Sequence, residues 1–144
     1  VYKRQALLWP VASRGASELE GRGDSPMVAI HSAAQQTIAE ASAQLSIPRR
    51  FSQPMREIWE FQLRLERRQG KKAAELVEHR RFRAAYDFLL LREQAGEETE
   101  GLGAWWTEFQ TLNMDQRIEK AANAPGGKSG RRRRPRRRRN PKQA

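Results

Sequence analysis

The sequence predicts an all-α fold: five to six short helices over residues 26–122 forming a small helical body, followed by a disordered polybasic tail over residues 123–144. Three observations carry this. Apolar residues between Pro26 and Ala122 recur at spacings of three and four, the period of one helix face. No stretch alternates polar and apolar residues for long enough to make a strand. Residues 128–144 hold ten basic residues, no acid and no apolar side chain to bury before Ala144, so charge repulsion keeps them extended.

Each element follows in order. Ser25 is placed to cap a first helix and Pro26 suits its first turn. Met27, Ile30, Ala34, Ile38, Ala41 and Leu45 then form one apolar stripe. Ile47 before Pro48 is pushed out of the helical region, which ends that helix. The segment "RRFSQPMREIWEFQLRLERRQG" (49–70) predicts a second helix, with Ser52 as candidate cap and Pro54 in its first turn. Its apolar face is Met55, Ile58, Trp59, Phe61, Gln62 and Leu65, widened by Leu63, and Gly70 is a natural stop. "KKAAELVEH" (71–79) predicts a short third helix. "RRFRAAYDFLLLREQAG" (80–96) predicts a fourth, with Phe82, Ala85, Tyr86, Leu89 and Leu90 on one side and Gly96 closing it. After the acidic loop "EETEG", a fifth runs through "LGAWWTEFQTL", with Leu102, Trp105, Trp106 and Phe109 in contact positions. Asn113 is placed to cap a last short turn.

Residues 1–25 are expected to be a truncated or irregular N-terminal segment. "LLWPVASRGASELEGRGDSP" is dense in Gly, Pro and Ser, although Leu7, Leu8 and Trp9 could end an upstream helix. The chain starts with Val, and "VYKRQ" looks like translated adapter sequence, so a fragment lacking an upstream part is expected and the first five residues are set aside.

The net charge of +11 resides in the tail: outside residues 128–144, 18 basic residues face 17 acids. The tail cations are Lys128, Arg131, Arg132, Arg133, Arg134, Arg136, Arg137, Arg138, Arg139 and Lys142. Guanidinium forks match phosphate geometry, and each neutralised phosphate releases counterions, so the natural partner is a polyanion. A solubilising tail or a nuclear-localisation-like run is the blander reading.

Several function classes recede. There is no cysteine, so neither a disulfide framework nor thiolate chemistry is available, which fits a reducing compartment. No apolar run approaches the ~18 residues that cross a bilayer, so no membrane role is expected and a cytoplasmic location is. "GGKSG" resembles part of a phosphate loop, but Ala122 stands where that motif needs Gly and no strand precedes it, so it reads as linker. His31 and His79 lack metal-ligand spacing. "RGD" (22–24) reads as a chance tripeptide in a loop. Carboxylates mostly find basic residues at helical spacing, as Glu60 does with Arg64. No metal, cofactor or catalytic constellation is expected in this chain.

Residues 49–92 carry twelve basic residues against six acids, concentrated at two helix junctions. "RRQGKK" contributes Arg67, Arg68, Lys71 and Lys72; "HRRFR" contributes Arg80, Arg81 and Arg83. Two such clusters suit a groove tracking a phosphate backbone; the alternative is an ordinary solvated face. Trp59, Phe61, Trp105, Trp106 and Phe109 could stack on bases, but their helical spacing favours core packing, with one of Trp105 and Trp106 left partly exposed.

The stretches "RRQGK" (67–71), "RFRAAYD" (81–87) and "WWTEFQ" (105–110), followed by the Arg-rich tail, resemble the C-terminal region of bacterial poly(A) polymerases, relatives of the CCA-adding tRNA nucleotidyltransferases. The resemblance covers about residues 27–144 and departs at Arg80, where the family pattern implies Pro. It implies transfer of AMP from ATP to an RNA 3′ hydroxyl with release of pyrophosphate, in mRNA polyadenylation, RNA processing and decay. It also implies two metal ions held by carboxylates of an α/β head domain upstream of this chain. ATP and Mg²⁺ are therefore expected of the full-length parent only. The partners implied are single-stranded RNA 3′ ends and RNA-decay proteins. Two other readings stand beside it: a stand-alone RNA-binding or RNA-chaperone module, and a helical interaction domain whose tail meets acidic proteins or membrane surfaces.

Overall fold

The computed structural model describes residues 2–125. Among them seven α-helices and no strand occur: α1 (Tyr2–Gly21), α2 (Pro26–Gln44), α3 (Arg49–Leu65), α4 (Lys71–Val77), α5 (Phe82–Gln94), α6 (Leu102–Thr111) and α7 (Met114–Ala122). The all-α class stands, with more helices than the five or six expected.

The additional helix is α1, which replaces the irregular segment expected before residue 25. It tolerates Pro10 in its interior, a residue that ordinarily costs ~3 kcal/mol or more inside a helix. Tertiary packing offsets that cost. Trp9 is buried against Trp59 and edge-on to Phe88, with ring centroids 6.2 and 5.6 Å apart. Ala12, Ala16, Ala29 and Ala33 are buried, and Gly15 lets α1 approach α2 closely: a Cβ there would sit 3.3 Å from that of Ala33. The small residues that read as loop punctuation thus form a helix–helix contact. Gln5, one of the residues set aside from the sequence, is itself buried.

α3 runs through the centre. Its buried residues are Met55, Ile58, Trp59, Phe61, Gln62 and Leu65, the face predicted from spacing. Gln62 joins it to α5: Nε2 donates to the Ala85 carbonyl at 3.1 Å, and Oε1 accepts from Arg92 Nη1 at 2.9 Å. Trp106 of α6 is fully buried and donates from Nε1 to the Leu65 carbonyl at 2.9 Å. Phe82 of α5 packs on Trp106, centroids 5.5 Å apart.

Two cap expectations change and one stands. α3 starts at Arg49 after Pro48, and Ser52 Oγ donates to the Arg49 carbonyl instead of capping. Ser25 precedes α2 with its side chain unused. Asn113 caps α7 in a reciprocal box with Gln116.

Candidate nucleic-acid interface

The first basic junction, residues 66–72, links α3 to α4. Gly70 has φ +76°, a conformation L side chains rarely adopt, and its N–H donates to the Ala121 carbonyl of α7 at 3.1 Å. Gln69 Nε2 donates to the Ala124 carbonyl at 2.9 Å. The turn is therefore tied to the end of α7, one residue from the last described position, Pro125. Arg67 and Lys72 are exposed, with no acid within ion-pair distance among the described residues. Lys71 meets Glu75 only loosely, at 4.0 Å on open surface. Arg68 is half-buried and its Nε is buried without a hydrogen-bond partner among the described residues. Beside it, burial pushes the Glu66 carboxyl above its ordinary value, with the charges of Glu20 and Glu100 adding to the rise. Glu66 is exposed as a whole residue, so the desolvation is local to the Arg68–Arg92 concavity that it lines.

The second junction, residues 79–83, links α4 to α5 and uses its cations differently. Arg81 Nε reaches Glu57 Oε2 of α3 at 2.5 Å, both side chains being largely covered. Burial alone would raise Glu57; hydrogen bonds from Arg81 and Gln53 outweigh it and hold that carboxyl below its ordinary value. Arg83 pairs with Asp87 at 3.2 Å and lies over the Tyr86 ring. Arg80 is exposed and has no acid within ion-pair distance among the described residues.

Next to Arg80, α3 contributes Arg64, an exposed residue whose guanidinium lies 5.5 Å from the Phe61 ring centroid. The Glu60–Arg64 pair expected from spacing does not form: Glu60 Oε1 accepts from His31 Nδ1 of α2 at 2.6 Å. His79 packs its ring on Phe61 at 5.1 Å and accepts the Arg81 N–H at Nδ1, 3.1 Å away. These groups line an open concavity of about 210 Å³.

The two junctions flank α4, whose seven residues span about 10 Å. Of the predicted body residues, Arg67, Lys72 and Arg80 are available to a ligand, with Lys71 nearly so. Arg81 and Arg83 are engaged in ion pairs, and Arg68 sits half inside a concavity. Arg64 was not among the predicted residues; its signal was the position three after Phe61, on the helix face beside that ring. Lys128, Arg131 to Arg134, Arg136 to Arg139 and Lys142 lie outside the described residues. The aromatic residues pack in the core as their spacing implied: Trp59, Phe61, Trp106 and Phe109 are buried. Trp105 is the partly exposed member, stacked on Phe109 at 4.5 Å with Lys120 Nζ over its ring.

The family model described as "Polymerase A arginine-rich C-terminus" matches residues 22–140, which include both junctions and the two Arg blocks. The chain belongs to this family. Among similar proteins are the poly(A) polymerase I of Salmonella typhi, 52% identical over 73 residues, and that of Escherichia coli O157:H7, 51% identical over 73 residues. The poly(A) polymerase I of Haemophilus influenzae is 43% identical over 74 residues. These alignments take in about half of this chain but only 16% of each relative. As a member of the polymerase A arginine-rich C-terminus family, the chain carries the all-helical body described above. No helix among its described residues is long and apolar enough to cross a membrane.

Proposed function

We propose that this chain is the RNA-holding C-terminal part of a cytoplasmic poly(A) polymerase whose parent adds AMP from ATP to RNA 3′ ends. ATP and Mg²⁺ belong to the parent's catalytic head. The observation that carries the reading is the tie between the first junction and the end of α7, through Gln69 to Ala124 and Gly70 to Ala121. It sets the root of the Arg-rich segment beside Arg67, Lys71 and Lys72. Lys128 follows Pro125 by three residues, a span of at most about 11 Å. Body and tail cations then serve one polyanion, giving affinity without base selection, which suits an enzyme that accepts many RNA ends.

The test is anisotropy of a labelled single-stranded oligoadenylate across a salt series. Removing residues 128–144 is expected to weaken binding and lower the log–log slope by about 3 to 4, from ~0.7 per contact if half the tail cations meet phosphates. In that shortened chain, changing Arg67, Arg68, Lys71 and Lys72 together to Glu is expected to weaken binding further. An unchanged slope would show that the tail does not touch RNA. No binding by the intact chain would overturn the whole reading.

A further inference from the structure

We propose that Arg64, His79 and Arg80 form a phosphate subsite for single-stranded RNA, in the concavity between α3 and the α4–α5 turn. The proposal rests on the RNA-holding reading above and adds a position to it.

Phosphate needs several hydrogen-bond donors and no competing carboxylate. The concavity contains two acids, and both are already engaged. Glu57 holds Arg81 at 2.5 Å and also accepts from Gln53 at 2.9 Å; Glu60 holds His31 at 2.6 Å. The cations left over are Arg64 and Arg80, both exposed and both without an acid within ion-pair distance among the described residues. Arg80 acts electrostatically on the concavity, since its charge helps hold the Glu57 carboxyl down.

His79 supplies the third donor. Its Nδ1 accepts the Arg81 N–H, so in the neutral ring the proton sits on Nε2. The ring is steadied by Phe61, 5.1 Å away, and the residue is exposed. Phe61 also lies under the Arg64 guanidinium, so one buried ring positions two of the three donors. The volume, about 210 Å³, is several times the ~30 Å³ share of a water molecule and admits an oxyanion. The neighbouring Arg81 is a positioning residue: its side chain occupies Glu57 and its backbone sets the His79 tautomer.

The experiment uses the full chain and labelled oligoadenylate, with circular dichroism to verify that each variant is folded. Arg64→Gln with Arg80→Gln is expected to lower the salt slope by about 1.4, two contacts at ~0.7 each, and the affinity at 0.1 M salt by about 25-fold if the curves converge at 1 M. The control is Arg14→Gln with Arg22→Gln, which removes the same charge from exposed positions of α1 and the turn after it. It should leave the slope unchanged. His79→Leu should weaken binding about fivefold, and His79→Gln, which retains an N–H donor, should restore most of it. Equal slope losses in the two double variants would reduce the effect to net charge and overturn the subsite. So would unchanged binding by the Arg64/Arg80 variant, or indistinguishable His79→Leu and His79→Gln variants. If the intact chain binds and tail removal flattens the slope while these variants match the control, the subsite alone falls. If the intact chain does not bind, the RNA-holding reading falls with it.

Discussion

The two basic junctions look alike in sequence, "RRQGKK" and "HRRFR", and differ in what their cations do. In the first, no acid among the described residues lies within ion-pair distance of Arg67 or Lys72, and the turn is tied by backbone and Gln69 to the end of α7. In the second, Glu57 of α3 captures Arg81, Asp87 takes Arg83, and Phe82 anchors the turn in the core. A cluster of arginines is therefore a measure of potential binding charge only after the acids of adjacent helices have been placed. The second junction has a structural task and leaves one free cation of its own, Arg80, among the described residues.

The largest way to separate the junctions is through the core. Phe82→Ala removes a buried ring that packs on Trp106 and should cost about 3–5 kcal/mol, read by chemical denaturation. A comparable loss from the Lys72→Ala change at the first junction would contradict the division, because that side chain is exposed.

A smaller effect distinguishes neighbours within one junction. Arg81→Met made together with Glu57→Gln, which removes the pair without freeing a carboxylate in the concavity, should cost about 1 kcal/mol, near the upper end for ion pairs that retain some solvent contact, and leave the RNA salt slope intact. Arg80→Gln should do the reverse, losing about 0.7 of slope with an unchanged denaturation midpoint. If the Arg81→Met, Glu57→Gln double variant flattened the slope as much as Arg80→Gln, the assignment of one arginine to structure and one to ligand would fail.

The smallest effect is in pH. Glu57 at the second junction has its carboxyl held below the ordinary value of 4.5. Its contribution is fully present above 4.5 and disappears as pH falls through the lower folded-state value. The stability difference between the wild type and Glu57→Gln should thus shrink on acidification. Glu66 at the first junction is raised, so its charge weakens the fold as pH rises from 4.5 through its folded-state value. Glu66→Gln should stabilise slightly at neutral pH and lose that advantage in acid. Urea midpoints of both variants across pH 3–7 give the comparison; profiles of the same sign would contradict these opposite environments.

By itself, the sequence determined the all-α class, the buried face of α3, the Asn113 cap and the acid-free arginine run. Each is local: a helix face follows from 3.6-residue periodicity, a cap from one side chain and the next turn, a polycation from composition. Only the tertiary structure decided that α1 is a helix, because Gly15 and the alanines around it find their partner in α2, outside any local window. The tertiary structure also decided which arginines are available. Glu60 turns to His31 instead of Arg64, and Glu57 reaches Arg81 from 24 positions away, because helix packing brings those groups within hydrogen-bond distance while spacing along one helix does not reveal it. The tie from Gln69 to Ala124, across 55 positions, belongs to the same class of contact and could not be read from either segment alone.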